Sequence, residues 1–85
     1  MIQVTFISDS GHGWYRISLG EFHTAQVEDY ISSYSYVDKT YIYLEEDCDF
    51  GVFHVACDRM GIGIKWMPDV FHKGESPIRL KERYK

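Results

Sequence analysis

Eighty-five residues allow one domain with a single modest core and leave no room for a second. Hydrophobic content of 45% and aromatic content of 16% supply enough apolar surface to offset chain entropy, which excludes a disordered chain. The net charge of −4 has the wrong sign for a protein held on double-stranded DNA by its phosphates, and is too small for a carboxylate-studded DNA mimic.

Ile2, Val4 and Phe6 alternate with Gln3, Thr5 and Ile7, which predicts a strand over 2–8. The opening MIQVTFIS has neither a basic segment nor a long apolar run, so neither a signal peptide nor a membrane span is expected and the chain reads as cytoplasmic. Residues 9–13 form a loop and Trp14–Ser18 a returning strand, together a hairpin. Ser18-Leu19-Gly20-Glu21 has the S-x-x-E form of a capping box, and Phe22, Ala25 and Val27 follow it, predicting a short helix to about Tyr30.

Two runs rich in aromatic and β-branched residues, Ile31–Val37 and Thr40–Glu45, flank Asp38-Lys39 and predict a hairpin with a two-residue turn. With Val37 opposite Thr40, Tyr36 faces Tyr41 and Tyr34 faces Tyr43. Side chains alternate along a strand, so these four tyrosines share one face while Ile31, Val37, Ile42 and Leu44 share the other. Glu45, Glu46, Asp47 and Asp49 precede Phe50–Met60, whose Phe50, Phe53, Ala56, Cys57 and Met60 recur at helical spacing. Asp49 or Asp47 is expected to cap that helix and Gly61 to stop it. Ile62–Phe71 reads as a strand bent at Pro68, His72–Pro77 as a turn, and Ile78–Tyr84 as a last basic edge strand with Arg79, Lys81 and Arg83 on one side.

The order ββαββα plus one or two strands predicts a single α+β domain over residues 1–85. Setting the first strand aside leaves βαββαβ, the order of a ferredoxin-like core, with both helices on one face of an antiparallel sheet and the tyrosine face open. Cys48 and Cys57 are separated by about 13 Å of rise if both belong to one helix, too far for a disulfide.

Gly11-His12-Gly13-Trp14, ISSYSYV over 31–37, YLEEDCD over 43–49 and Ser76-Pro77-Ile78-Arg79 together resemble a family of small proteins encoded by tailed bacteriophages. In that family the residue after the GHGW motif is usually aliphatic; here it is Tyr15, which leaves the packing of the first hairpin open. The resemblance implies a phage origin and synthesis in the host bacterial cytoplasm, and supplies no activity. By analogy with other small phage proteins outside the virion, it favours an accessory protein that binds and inhibits a host protein or defence system.

The candidate contact residues are Tyr34, Tyr36, Tyr41 and Tyr43 of the sheet face, His12 and Trp14 of the glycine loop, and Arg16, Arg79 and Lys81 from a basic rim that also takes in Lys39, Lys65 and Arg83. Tyrosines on a sheet can stack bases of a nucleotide-derived signal or short single strand, with arginines meeting phosphate. They equally suit a protein contact, a homodimer interface or burial beneath the C-terminal segment. The glycines of the GHGW loop serve either a ligand or simply a tight turn anchored by Trp14. The acids before the helix match no EF-hand or paired CxxC spacing and fit helix capping, so no metal and no cofactor is expected. His54, Cys57 and Asp58 share a helix face, and Cys48 is the one thiol beside a helix start. No nucleophile stands with its base, so a small hydrolase using His12 and the acids is the third reading, after the host-protein binder and the nucleotide sponge.

Overall fold

The computed structural model describes residues 1–85 and is an α+β domain. Its strands are β1 (Ile2–Ser8), β2 (Gly13–Ser18), β3 (Tyr36–Val37), β4 (Tyr41–Glu45), β5 (Ile64–Trp66), β6 (Val70–Phe71) and β7 (Glu82–Arg83). The helices are α1 (Leu19–Thr24) and α2 (Asp49–Met60), with 3-10 turns at Glu28–Tyr30 and Pro77–Leu80. No helix is long and apolar enough to cross a membrane.

The sheet runs β5-β1-β2-β4-β3-β7, with β6 also paired to β1. Strands β2, β4 and β3 are adjacent and antiparallel, as in a ferredoxin-like half. Strand β1, however, lies between β2 and β5, pairing antiparallel with the first and parallel with the second, so the sheet is mixed. The short loop from Ser8 to Gly13 forces β1 beside β2, and β1 carries apolar side chains on both faces as an interior strand must. Beyond β5 the chain leaves the ladder at Pro68 and rejoins β1 as β6, so the predicted bend separates two short strands.

One face of the sheet packs against both helices. Val4, Ile17, Phe22, Ile31, Ile42, Leu44, Phe53 and Cys57 are fully buried there. Each large apolar side chain so buried contributes about 1.5–3 kcal/mol. Ser18 caps α1 by accepting the Glu21 N–H, but the helix ends at Thr24 and Gln26 takes a left-handed φ of 58°. The predicted continuation to Tyr30 is replaced by a 3-10 turn that brings Val27 and Ile31 into the core.

Three further expectations shift. In the tyrosine hairpin Tyr36 pairs with Tyr43 and Val37 with Ile42, a slip of two residues from the expected register. The cause is Asp38, whose carboxylate accepts the Thr40 and Tyr41 N–H groups and centres the turn on Lys39-Thr40. An even slip leaves the side chains of the paired residues on their expected faces. Residues 31–35 do not extend the strand, so Tyr34 lies in a turn. The expected last strand over 78–84 shortens to β7, which pairs with β3, after Pro77–Leu80 has crossed the tyrosine face. That crossing places Ile78 in a second, smaller core with Ile7, Trp14 and Tyr43.

Candidate functional site

The second face is organised by Asp9, whose side chain is sealed from solvent. Its Oδ1 accepts the Gly11 and His12 N–H groups at 2.9 Å each, which shapes the glycine loop. Its Oδ2 accepts the Ser76 N–H at 2.8 Å and Arg79 Nε at 2.8 Å, while Arg79 Nη2 reaches Oδ1 at 3.0 Å. One carboxylate thus ties the first hairpin to a segment 70 residues later in the chain. The Arg79 guanidinium holds the Asp9 carboxyl well below the usual range, despite burial, and Asp9 in turn raises the pKa of Arg79.

Gly11 serves this clamp, and Gly13 the packing beside it. A Cβ on Gly11 would stand 2.8 Å from Arg79 Nη2, and one on Gly13 would stand 2.5 Å from the Phe6 ring. The Gly13 N–H donates to Glu46.

The C-terminal cations lie over the aromatic rings of this face. Arg79 sits 5.4 Å from the Trp14 ring, Lys81 5.2 Å from Tyr43, and Arg83 5.2 Å from Tyr36. Their alternation in sequence therefore becomes a row of cation–aromatic contacts. From β2, Arg16 covers Tyr41 at 4.8 Å.

A second carboxylate network places the remaining wall. Asp49, almost wholly buried, accepts the Ser32 N–H, the Ser32 hydroxyl and the Ser35 hydroxyl. Ser35 Oγ accepts the Glu45 N–H in turn. The turn so fixed presents Tyr34 outward and Tyr36 along β3. Asp49 therefore does not cap α2. Glu45 does, accepting the N–H groups of Cys48 and Asp49 with one oxygen and that of Asp47 with the other. The acids point to separate partners: Glu45 to the start of α2, Glu46 to Gly13, Asp49 to the serines. Cys57 is buried in the core, which pushes its thiol pKa up, whereas His54 is exposed against Phe50. Cys48 is exposed at the helix start, and both thiols are free.

Between these networks lies a cleft of about 300 Å³ lined by His12, Trp14, Tyr34, Tyr36, Glu45, Arg79 and Arg83, with Gly13 at its edge. Five of the nine candidate residues, His12, Trp14, Tyr34, Tyr36 and Arg79, meet there. Tyr41, Tyr43, Arg16 and Lys81 do not, and form a closed cluster farther along the face. In that cluster the Tyr43 hydroxyl donates to Asp38 Oδ2 at 2.7 Å, and Lys81 Nζ stands 3.0 Å from the same oxygen. Burial, with Asp38 beside it, raises the Tyr43 pKa. Burial opposes ionisation of Asp38, but the N–H, hydroxyl and ammonium donors around it outweigh that and hold its carboxyl low. With its hydroxyl bonded and the residue only 5% exposed beneath Lys81, Tyr43 has no face for an incoming base.

Two cleft residues lie outside the nine candidates: Arg83, which belongs to the wider basic rim read from the sequence, and Glu45, which the sequence presents only as part of the acid run. The i, i+2 spacing from Arg79 through Arg83 was the available signal for the first. Asp9 and Asp49 gave no local signal, because their partners are distant in the chain. No family model, no curated protein and no solved structure matches this chain.

Proposed function

We propose that this is a non-enzymatic phage accessory protein that binds a host protein in the bacterial cytoplasm and inhibits it, using the aromatic cleft and the projecting Tyr34 as its contact surface. The observation that carries the reading is convergence. Residues from the glycine loop, the 32–36 turn and the C-terminal segment assemble Trp, Tyr and Arg side chains around one concavity. These three types dominate the energetics of protein contacts. The arginines are held in place beforehand, Arg79 by Asp9 and Arg83 by the Ser33 carbonyl at 2.9 Å, so docking costs little side-chain entropy. Of the acids around the start of α2, Glu45 and Glu46 hold backbone N–H groups and Asp49 holds Ser32 and Ser35.

The test is a quantitative pull-down from host cells with wild-type, Tyr34→Ala and Arg83→Glu proteins. A stoichiometric partner retained by the wild type and lost by both variants supports the reading; equal recovery by all three refutes it.

A second reading, capture of a nucleotide-derived signal or a short single strand, is favoured by the cleft volume, which lies at the lower bound for small-ligand sites. Only Tyr34 and Tyr36 then contact the base, with Arg83 and the free edge of Arg79 on phosphate and Trp14 buried beneath Arg79 as the reporter. It predicts a Trp14 fluorescence change on titration with a nucleotide panel, and an unchanged spectrum across the panel removes it.

A further inference from the structure

Charge is unevenly distributed along this chain. Residues 76–85 carry Arg79, Lys81, Arg83 and Lys85 against Glu82 alone, so a strap with a net side-chain charge of +3 crosses the tyrosine face of a chain whose net charge is −4. The four cations are not equivalent. Asp9 neutralises Arg79 at 2.8 Å and Asp38 neutralises Lys81 at 3.0 Å. Lys85 lies outside the cleft, where it donates to the Asp29 carbonyl. Arg83 lines the cleft and belongs to none of the ion pairs.

Arg83 is nevertheless held in place. Its Nη1 donates to the Ser33 carbonyl at 2.9 Å, and its guanidinium lies 5.2 Å from the Tyr36 ring. A neutral carbonyl and a ring position the cation without discharging it. Its Nε and Nη2 bond to nothing in the chain, and these are the two atoms through which Arg79 grips Asp9. The edge of the guanidinium that fits a carboxylate in fork geometry is therefore open.

The remaining polar groups of the cleft are engaged. Glu45 is the one acid in its lining, but it accepts the N–H groups of Asp47, Cys48 and Asp49 at the positive end of α2, which offsets its charge. The Gly11 and His12 N–H groups go to Asp9 and that of Gly13 goes to Glu46. The glycine loop thus has no backbone donor left to cradle a phosphate, and one uncompensated guanidinium edge matches a planar monoanion. We propose, resting on the host-binding function, that the group the cleft receives is a carboxylate, an Asp or Glu side chain of the host protein gripped bidentately by Arg83. Tyr34, 67% exposed beside it, packs on the residue next to that acid.

NMR titration of the full chain tests this with three probes: the peptide acetyl-Leu-Glu-Leu-amide, its glutamine counterpart, and inorganic phosphate. The glutamate peptide is expected to shift the Arg83 Nε–H and the Tyr34 and Tyr36 ring signals and to bind about tenfold more tightly than the glutamine peptide. Arg83→Gln should abolish that difference, and because Arg83 is exposed its circular dichroism should match the wild type. Equal responses to the two peptides, a glutamate preference that survives Arg83→Gln, or tighter binding of phosphate than of the glutamate peptide would overturn the proposal. Pull-down separates it from the function it rests on. A host protein lost on Tyr34→Ala but kept by Arg83→Gln overturns the carboxylate and leaves the binding function standing. A glutamate-selective cleft with no host protein retained by the wild type overturns the binding function instead.

Discussion

Replacing Asp9 by Asn removes one negative charge and nothing else of consequence in size. Asn can still accept from the Gly11 and His12 N–H groups through its oxygen. Its amide must then face the Ser76 N–H and the Arg79 guanidinium, donor against donor. Breaking a buried charge pair costs about 3–5 kcal/mol. Arg79 keeps 29% of its side chain in solvent while Asp9 keeps none, so the lower end applies, about 3 kcal/mol. At roughly 2.1 cal/mol/K per residue, an 85-residue domain unfolds with an entropy of about 180 cal/mol/K, so Tm falls by about 17 °C. Thermal unfolding by circular dichroism reads that shift, and tryptophan emission reads its cause. Trp14 is 3% exposed beneath Arg79, so loosening residues 76–83 shifts its emission to the red against the constant contribution of the already exposed Trp66. A Tm within about 3 °C of wild type with unchanged emission would refute the clamp.

Acid should act through the same groups. The Asp9 and Asp38 carboxyls are held below their unfolded values near 4, so their stabilisation is complete above that pH and drains away as pH falls through the lower folded values. Urea midpoints measured between pH 5 and 2 should fall steeply for wild type and less steeply for Asp9→Asn. Burial raises the phenol pKa values of Tyr15, Tyr43 and Tyr84, and the stabilisation present below pH 10 is lost above it; absorbance at 295 nm should show these three ionising late. Gly13→Ala drives a Cβ into the Phe6 ring and should cost about 1–3 kcal/mol by urea titration. Gly51→Ala meets no intrachain atom, improves helix propensity and should stabilise the fold by up to about 1 kcal/mol in the same assay.

The faces of the sheet were legible because side-chain alternation survives any even slip. Tyr36, Tyr41 and Tyr43 do share a face opposite Ile42 and Leu44, although the register moved by two. The slip itself could have been read: Asp at the first position of a turn binds the N–H groups two and three residues on, which favours a turn centred on Lys39-Thr40. Asp49 illustrates the limit. Its position at the head of α2 invites a capping role, yet Ser32 and Ser35 compete for it, and Glu45 takes over the helix start. Local propensity cannot weigh a tertiary partner that has not been placed. Neither could the 70-residue contact between Asp9 and Arg79 be inferred, and without it the cover over the tyrosine face was one alternative among several. The ferredoxin-like half survives as β2-β4-β3, while the hairpin partner β1 displaces β5 from β2 because a short loop outweighs the pattern of the longer connections.

Native mass spectrometry of the chain purified from bacterial cells that express it, run beside Arg83→Glu, tests most directly the proposal of a binding protein that acts through its cleft. A retained host-protein mass on the wild type, absent from Arg83→Glu, is the predicted result. The bare chain in both samples, or the same host protein held equally by both, would contradict it.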